Sequence, residues 1–444
     1  MLFKQLVDDD LGCASYLVGD EHAGVAAVVD PAYAIEPYLA ECERQGVHLA
    51  VVLETHTHAD HVSGHGRLAL EREVPVRVHE AAGAAFPHGA LTDGTEIELG
   101  AVVVRTLHTP GHRPEHCAFA VVDRSRGDEP WLVLTGDSLF VGDAARPDLA
   151  IEARAGAEGL FHSLHRLVEL GDGVEVFPGH VAGSLCGAAM SSKASTTIGF
   201  ERRFNHALVE SYDEFITHAE GPQPPRPPNM QRIVELNRGP FLAAQPPLCP
   251  AGDAAGAIVL DVRTARAFAG GHRHGAFNVP VSGSAFATKA AFVLPDRPVV
   301  IDAADEAEAL RAARSLQAVG IFDLAGWREG GGEERVEPVT IDEVERRLAA
   351  GEIELLDVRE ADERDHESIP GSHHLPYRMA RQAAENGLCG ARPIVTICES
   401  GARAGIAASV LTAAGFDARP VLDGGIGQWR ARGGEVSSFR RCGG

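Results

Sequence analysis

The run His56-Thr57-His58-Ala59-Asp60-His61 constrains this chain more than any other stretch. It follows the apolar segment Val47 to Leu53, which reads as a buried strand, so three imidazoles and a carboxylate leave one strand end on a short loop. Alternate residues of an extended segment project to the same side, and such a set can converge on a first-row transition metal. A polar loop that is merely rich in His is the bland alternative, and more distant ligands decide between the two. They follow in order. His112 sits in Thr109-Pro110-Gly111-His112 after Ala101 to Leu107, Asp137 in Thr135-Gly136-Asp137-Ser138 after Trp131 to Leu134, and His180 in Phe177-Pro178-Gly179-His180 after Val174 to Val176. Each is a polar residue at the end of an apolar run, beside a Gly that admits close backbone approach. The chain must therefore bring several strand ends to one place.

With this ordered ligand set, roughly the first half of the chain resembles the metallo-β-lactamase fold, a four-layer αββα sandwich whose metal site lies where the loops meet. The residues leave two arrangements open. If His56, His58, Asp60, His61, His112, Asp137 and His180 all bind metal, the site holds two zinc ions bridged by Asp137, as in a thioester hydrolase of the glyoxalase II type. If only His56, His112 and Asp137 bind, they form a two-histidine, one-carboxylate triad with open positions, typical of oxygen-activating iron. In the resembling persulfide dioxygenases the second arrangement applies. There His58, Asp60, His61 and His180 would serve as outer groups.

The length of 444 residues gives a prior of about three domains. Sixty-three acidic against forty basic side chains leave a formal charge of −23, which repels phosphate backbones and anionic membranes. Nucleic acid and membrane are therefore not expected as partners. No apolar run approaches the length of a membrane span, and the N-terminus, with Asp8, Asp9 and Asp10, lacks the parts of a signal peptide. The eight cysteines show no C-x-x-C pair, which suits a reducing compartment, and a cytoplasmic location is expected.

Short apolar runs alternate with polar turns up to Phe177, and Leu160, Phe161, Leu164, Leu167 and Val168 recur at helical spacing. Gly221 to Pro228, with five prolines among eight residues, reads as a connector. Beyond it lies an internal repeat. Asp261 and Asp357, Gly275 and Gly371, and Pro280 and Pro376 are each 96 positions apart. Each copy alternates strand and helix, which implies a parallel sheet covered on both faces.

The strand-borne Asp-Val-Arg of both copies, with the later Ile369-Pro370-Gly371-Ser372-His373 turn, resembles rhodanese domains. Asp357 and Arg359, like Asp261 and Arg263, are expected as a structural ion pair, since both copies carry them. After Ile394 to Ile397 comes Cys398-Glu399-Ser400-Gly401-Ala402-Arg403, leading into an apolar helix. A cysteine between a strand end and a helix start meets converging N–H groups that stabilise anionic sulfur. A small buried Cys is the default for a lone cysteine, but the six-residue loop has the rhodanese length. Arg403 is expected to curl back over it and add positive charge. In the first copy Val299-Val300-Ile301 runs into Asp302-Ala303-Ala304-Asp305-Glu306, with no cysteine and a negative local charge, so that copy is expected to be an inactive scaffold.

The whole is similar to persulfide dioxygenase–rhodanese fusions. The resemblance implies an α/β chain with an αββα sandwich over residues 1–240, a rhodanese-like domain without catalytic Cys over 241–338, and a rhodanese sulfurtransferase over 339–444. It also implies one Fe(II) per chain, with two Zn as the alternative. The expected partners are a low-molecular-weight thiol persulfide, O2, sulfite and further copies of the chain.

Overall fold

In a computed structural model, residues 1–181, 191, 193–221, 223, 225–252, 254–388 and 392–438 are described. The chain divides into two compact units, one comprising Met1–Gln245 with Gln317–Gly320, the other Pro246–Leu316 with Ile321–Gly444.

The first unit holds two six-stranded sheets. Strands β1 (Leu2–Val7), β2 (Ala14–Asp20), β3 (Val25–Val29), β4 (His48–Leu53), β5 (Val76–His79) and β6 (Gly89–Leu91) lie in chain order. Strands β7 (Glu96–Leu99), β8 (Val102–His108), β9 (Cys117–Asp123), β10 (Pro130–Gly136), β11 (Glu175–Pro178) and β12 (Thr196–Thr197) form the second sheet. Side-chain alternation then assigns the layers. Tyr16, Val18, Ala27, Val29, Phe119, Val121, Leu132 and Leu134 share one core between the sheets. Their neighbours Leu17, Ala26 and Val28 face the helices Glu36–Gln45 and His65–Arg72 on one outer side. Ala118, Ala120 and Val133 face the helix Ala153–Val168 on the other. Strands buried on both faces explain the unbroken apolar runs in the sequence. The helix Ala153–Val168 buries Leu160, Leu164 and Leu167, each worth about 1.5–3 kcal/mol on removal from water.

The second unit holds two four-stranded parallel sheets of the same topology. Strands β13 (Ile258–Asp261), β14 (Phe277–Asn278), β15 (Val299–Ala303) and β16 (Leu324–Glu329) lie in the order β14-β13-β15-β16. Strands β17 (Glu354–Asp357), β18 (His373–His374), β19 (Ile394–Ile397) and β20 (Ala418–Pro420) lie in the order β18-β17-β19-β20. The duplication read from spacing is thus a duplication of strand order. The Asp-Val-Arg segments do the same work in each copy. Arg263 and Arg359 clasp Asp261 and Asp357 through Nε at 3.0 Å and donate Nη2 to the carbonyls of Gly271 and Glu367.

One apolar core runs through both copies, from Leu260, Phe286 and Ile301 to Leu356, Ile394, Ile406 and Leu411. The Asn278 N–H also donates to Ser409 Oγ at 2.9 Å across the two copies. No described helix is long and apolar enough to cross a membrane.

Candidate functional site

Four strand ends deliver the ligand run of the first unit. His56 to His61 follow β4, His112 lies between β8 and β9, Asp137 follows β10 and His180 follows β11. Two further links draw these ends together. Cys117 N–H donates to the Thr55 carbonyl at 2.7 Å, and Ala14 N–H to the Gly179 carbonyl at 2.7 Å. The turn before Asp137 needs glycine. Gly136 has φ +48°, and a Cβ there would lie 2.7 Å from Thr55 Oγ1 and 2.8 Å from His116 Nε2.

His56, His112 and Asp137 come together as a buried set. Asp137 Oδ2 lies 3.9 Å from His56 Nε2 and 3.7 Å from His112 Nε2. The hydrogen bonds behind the two rings fix their tautomers. Thr55 Oγ1 gives its proton to Asp30 Oδ2 at 2.8 Å and therefore accepts from His56 Nδ1 at 2.9 Å. The Arg146 carbonyl can only accept, so His112 Nδ1 donates to it, at 2.9 Å. Both Nε2 atoms are left with lone pairs aimed at a carboxylate oxygen that is itself buried without a partner. Burial holds both histidines below the ordinary imidazole pKa, hence neutral. Two neutral imidazoles and one unsatisfied carboxylate oxygen, all buried, fit a divalent transition-metal ion.

The other four residues of the ligand run divide. His58 turns away, its Nε2 3.3 Å from Asp30 Oδ1 and 3.2 Å from Glu54 Oε2. Burial and His61 oppose charge on His58, but Asp30 and Glu54 outweigh them and raise its pKa to about 9. Asp60, His61 and His180 form a second cluster. His180 Nδ1 contacts Asp137 Oδ1 at 2.9 Å and its Nε2 contacts Asp60 Oδ2 at 2.8 Å, while His61 Nδ1 lies 3.0 Å from Asp60 Oδ1. A ring with a carboxylate at each nitrogen is an imidazolium. Burial opposes that charge, and Asp137, Cys13 and Asp60 overcome it.

Sequence reasoning missed Cys13, whose Sγ lies 3.3 Å from both His61 Nδ1 and His180 Nε2. Its only signal was a thiol at the start of a strand. Also missed were Asp30, Glu54 and Thr55, and His116, whose ring centroid is 5.2 Å from that of His56.

In the second unit Cys398 is buried at the end of β19 and accepts a hydrogen bond from the Gly401 N–H at 3.1 Å. Gly401 has φ +93°, and a Cβ there would meet the Leu422 carbonyl oxygen at 2.3 Å. The helix Ala402–Ala413 starts directly after it. Glu399 and Ser400 are exposed loop residues. Arg403 departs from expectation. It does not lie free over the loop, because both Nη atoms are taken by the Glu363 carboxylate at 2.5 and 2.7 Å. A guanidinium fork matched bidentately to a nearby carboxylate loses its net charge to that pair.

In the first copy the strand pairing sets Ala303 where the second has Cys398, since Ile258 pairs Val299 and Glu354 pairs Ile394. The adjacent Asp302 is not a net negative charge as the sequence suggested. Arg273 and Arg328 neutralise it at 2.9 and 2.8 Å.

Comparison with known proteins agrees with this division. The description of the metallo-beta-lactamase superfamily matches residues 8–180, and that of the rhodanese-like domain matches residues 340–432. The mitochondrial persulfide dioxygenase ETHE1 of Bos taurus is 26% identical over 239 residues, which is 53% of this chain and 87% of the bovine protein. The hydroxyacylglutathione hydrolase of Methylococcus capsulatus is 35% identical over 169 residues, 37% of this chain and 60% of that protein. Among solved structures, a metallo-beta-lactamase from Staphylococcus aureus subsp. aureus COL aligns with a TM-score of 0.70 at 28% identity, covering 74% of this chain and 99% of that one.

Proposed function

From the premise that the chain belongs to the metallo-beta-lactamase superfamily and carries a C-terminal rhodanese-like domain, we propose that it oxidises a low-molecular-weight thiol persulfide to sulfite and thiol, and moves sulfane sulfur through Cys398 to make thiosulfate. His56, His112 and Asp137 would hold one Fe(II), which when bound supplies the activation of O2. The observation that carries this reading is the withdrawal of His58 into Asp30 and Glu54. A dinuclear site would use His58 as a ligand, and here its Nε2 faces the two carboxylates instead. His180 supports the same reading. As an outer group its Nδ1 lies 2.9 Å from Asp137 Oδ1 and its Nε2 2.8 Å from Asp60 Oδ2.

The chain's own groups then divide the work. Thr55 and the Arg146 carbonyl orient the two imidazoles, and His180 fixes the Asp137 rotamer. At the other site the Cys398 thiolate attacks the outer sulfur of a persulfide, the S–S bond breaks and the thiol leaves. Sulfite then attacks the outer sulfur of the Cys398 persulfide, and thiosulfate departs as the thiolate is restored. The Gly401 N–H stabilises negative sulfur in both steps. Sulfite made by the first reaction is the acceptor of the second, which gives both domains a place in sulfide detoxification.

Replacing Cys398 with Ser in iron-loaded protein should abolish thiosulfate formation while oxygen uptake and sulfite release continue. Loss of oxygen uptake in a folded C398S protein would sink the picture of two separable sites. The runner-up is a dinuclear zinc thioester hydrolase, favoured by the likeness to a hydroxyacylglutathione hydrolase. Two zincs per chain and thioester cleavage without air would establish it in place of the oxygenase.

A further inference from the structure

Arg403, which closes the Cys398 loop, and the neighbouring arginines of this domain are paired with carboxylates. Both Nη atoms of Arg403 are held by Glu363. Arg359 is bound to Asp357 through Nε and Nη2, and its Nη1 lies 3.7 Å from Glu399 Oε2. Arg378 contacts both oxygens of Glu360 at 3.2 and 3.1 Å. Each of these three cations faces a carboxylate, Asp357 being shared with Arg364 at 3.4 Å, and the loop itself adds Glu399, which is 47% exposed. A single backbone N–H is the direct donor to the Cys398 sulfur among the described residues.

We propose that Glu363 is a positioning residue that keeps Arg403 in a neutral pair, so that the site accepts the outer sulfur of an organic persulfide and disfavours doubly charged inorganic thiosulfate as a sulfur donor. The proposal rests on the sulfur-transfer reading and adds a direction to it. Thiosulfate formed at Cys398 meets no free guanidinium and leaves. Thiosulfate arriving from solution meets the same neutral wall with its charge packed beside the sulfur that is attacked, whereas an organic persulfide brings at most one negative charge at its reacting end and carries its other charges on the distant carrier. Affinity for an anion follows the net charge that faces it.

Glu363→Gln keeps the size of the side chain and removes its charge. With the full chain and cyanide as acceptor, E363Q should lower KM for thiosulfate roughly tenfold, as expected for one unbalanced charge on the residue that closes the Cys398 loop. Its kcat, and its KM for glutathione persulfide, should move by about twofold or less, the signature of an effect confined to binding one donor. Alkylation of Cys398, followed by peptide mass spectrometry, gives a readout without turnover. The rate ratio of anionic iodoacetate to neutral iodoacetamide should rise in E363Q, and fall in R403Q, which strands the Glu363 charge. An unchanged thiosulfate KM together with an unchanged ratio overturns the proposal. A ratio that shifts as expected in a chain that transfers sulfur from no donor would instead overturn the sulfurtransferase reading and leave the charge assignment standing.

Discussion

Thr55→Val keeps the outline of a side chain and deletes one oxygen, which makes it a sharp test of how the metal triad is oriented. In the wild-type chain that oxygen donates to Asp30 Oδ2 at 2.8 Å and accepts from His56 Nδ1 at 2.9 Å. Both partners are buried away from water that could replace the hydroxyl. A buried polar group left unpaired costs about 1–3 kcal/mol. Asp30 still accepts the Thr55 N–H at 2.7 Å, so the two losses together should cost about 2–4 kcal/mol. His56 also loses the contact that fixes its tautomer, and loss of such an outer partner weakens metal binding about 10–100-fold. Hydrogen exchange of the segment Leu53 to Asp60 in metal-free protein measures the first effect. Competition with a chromophoric Fe(II) chelator measures the second, and Thr55→Ser should restore both. Wild-type exchange and wild-type iron affinity in the valine variant would refute the orienting role of Thr55.

The remaining expectations concern metal content, pH and the sulfur loop. His58→Gln should retain iron whereas His112→Ala and Asp137→Asn should lose it, as read by elemental analysis of anaerobically loaded protein; loss in His58→Gln would make His58 a ligand. Because the folded-state pKa of His58 is raised from 6.5 to about 9, its stabilisation is complete below the unfolded value and is lost as pH rises through about 9. At about 1.4 kcal/mol for each pH unit between the two values, this is worth about 3 kcal/mol to metal-free protein. Urea midpoints of the first unit should therefore fall between about pH 6.5 and 9.5 in wild type and fall less in His58→Gln, and equal slopes would remove His58 from the account. Gly401→Ala forces a Cβ to within 2.3 Å of the Leu422 carbonyl oxygen at φ +93°. It should cost at least about 1–3 kcal/mol of local strain and cut sulfur transfer without touching oxygen uptake, and full transfer activity would show that the loop can relax.

The ligand run was legible because its chemistry demands particular residue types at strand ends, and strand ends can be read from apolar runs. The sequence could not tell which of those ligands face one another. Whether His58 joins His56 or turns to Asp30 and Glu54 depends on carboxylates 28 and 4 positions away, the first brought near by the β3–β4 pairing. Cys13 stayed hidden for the same reason, since the backbone bridge to His180 that places it spans the two sheets. The repeat was plain because Asp, Gly and Pro mark strand ends and turns at fixed intervals. The pairing of Arg403 was not, because Glu363 lies forty positions earlier on a different element.

The continuous core of the second unit bears on how such a chain can evolve. Once two duplicated sheets share their oily interior, one of them can carry alanine where the other carries cysteine and still be needed by its neighbour. Removing the first copy would strip Phe286 and Ile301 from the buried core they share with Ile406 and Leu411, and a truncated gene product would face clumping before it faced any question of turnover. The copy without the thiol serves as solvent for its sibling.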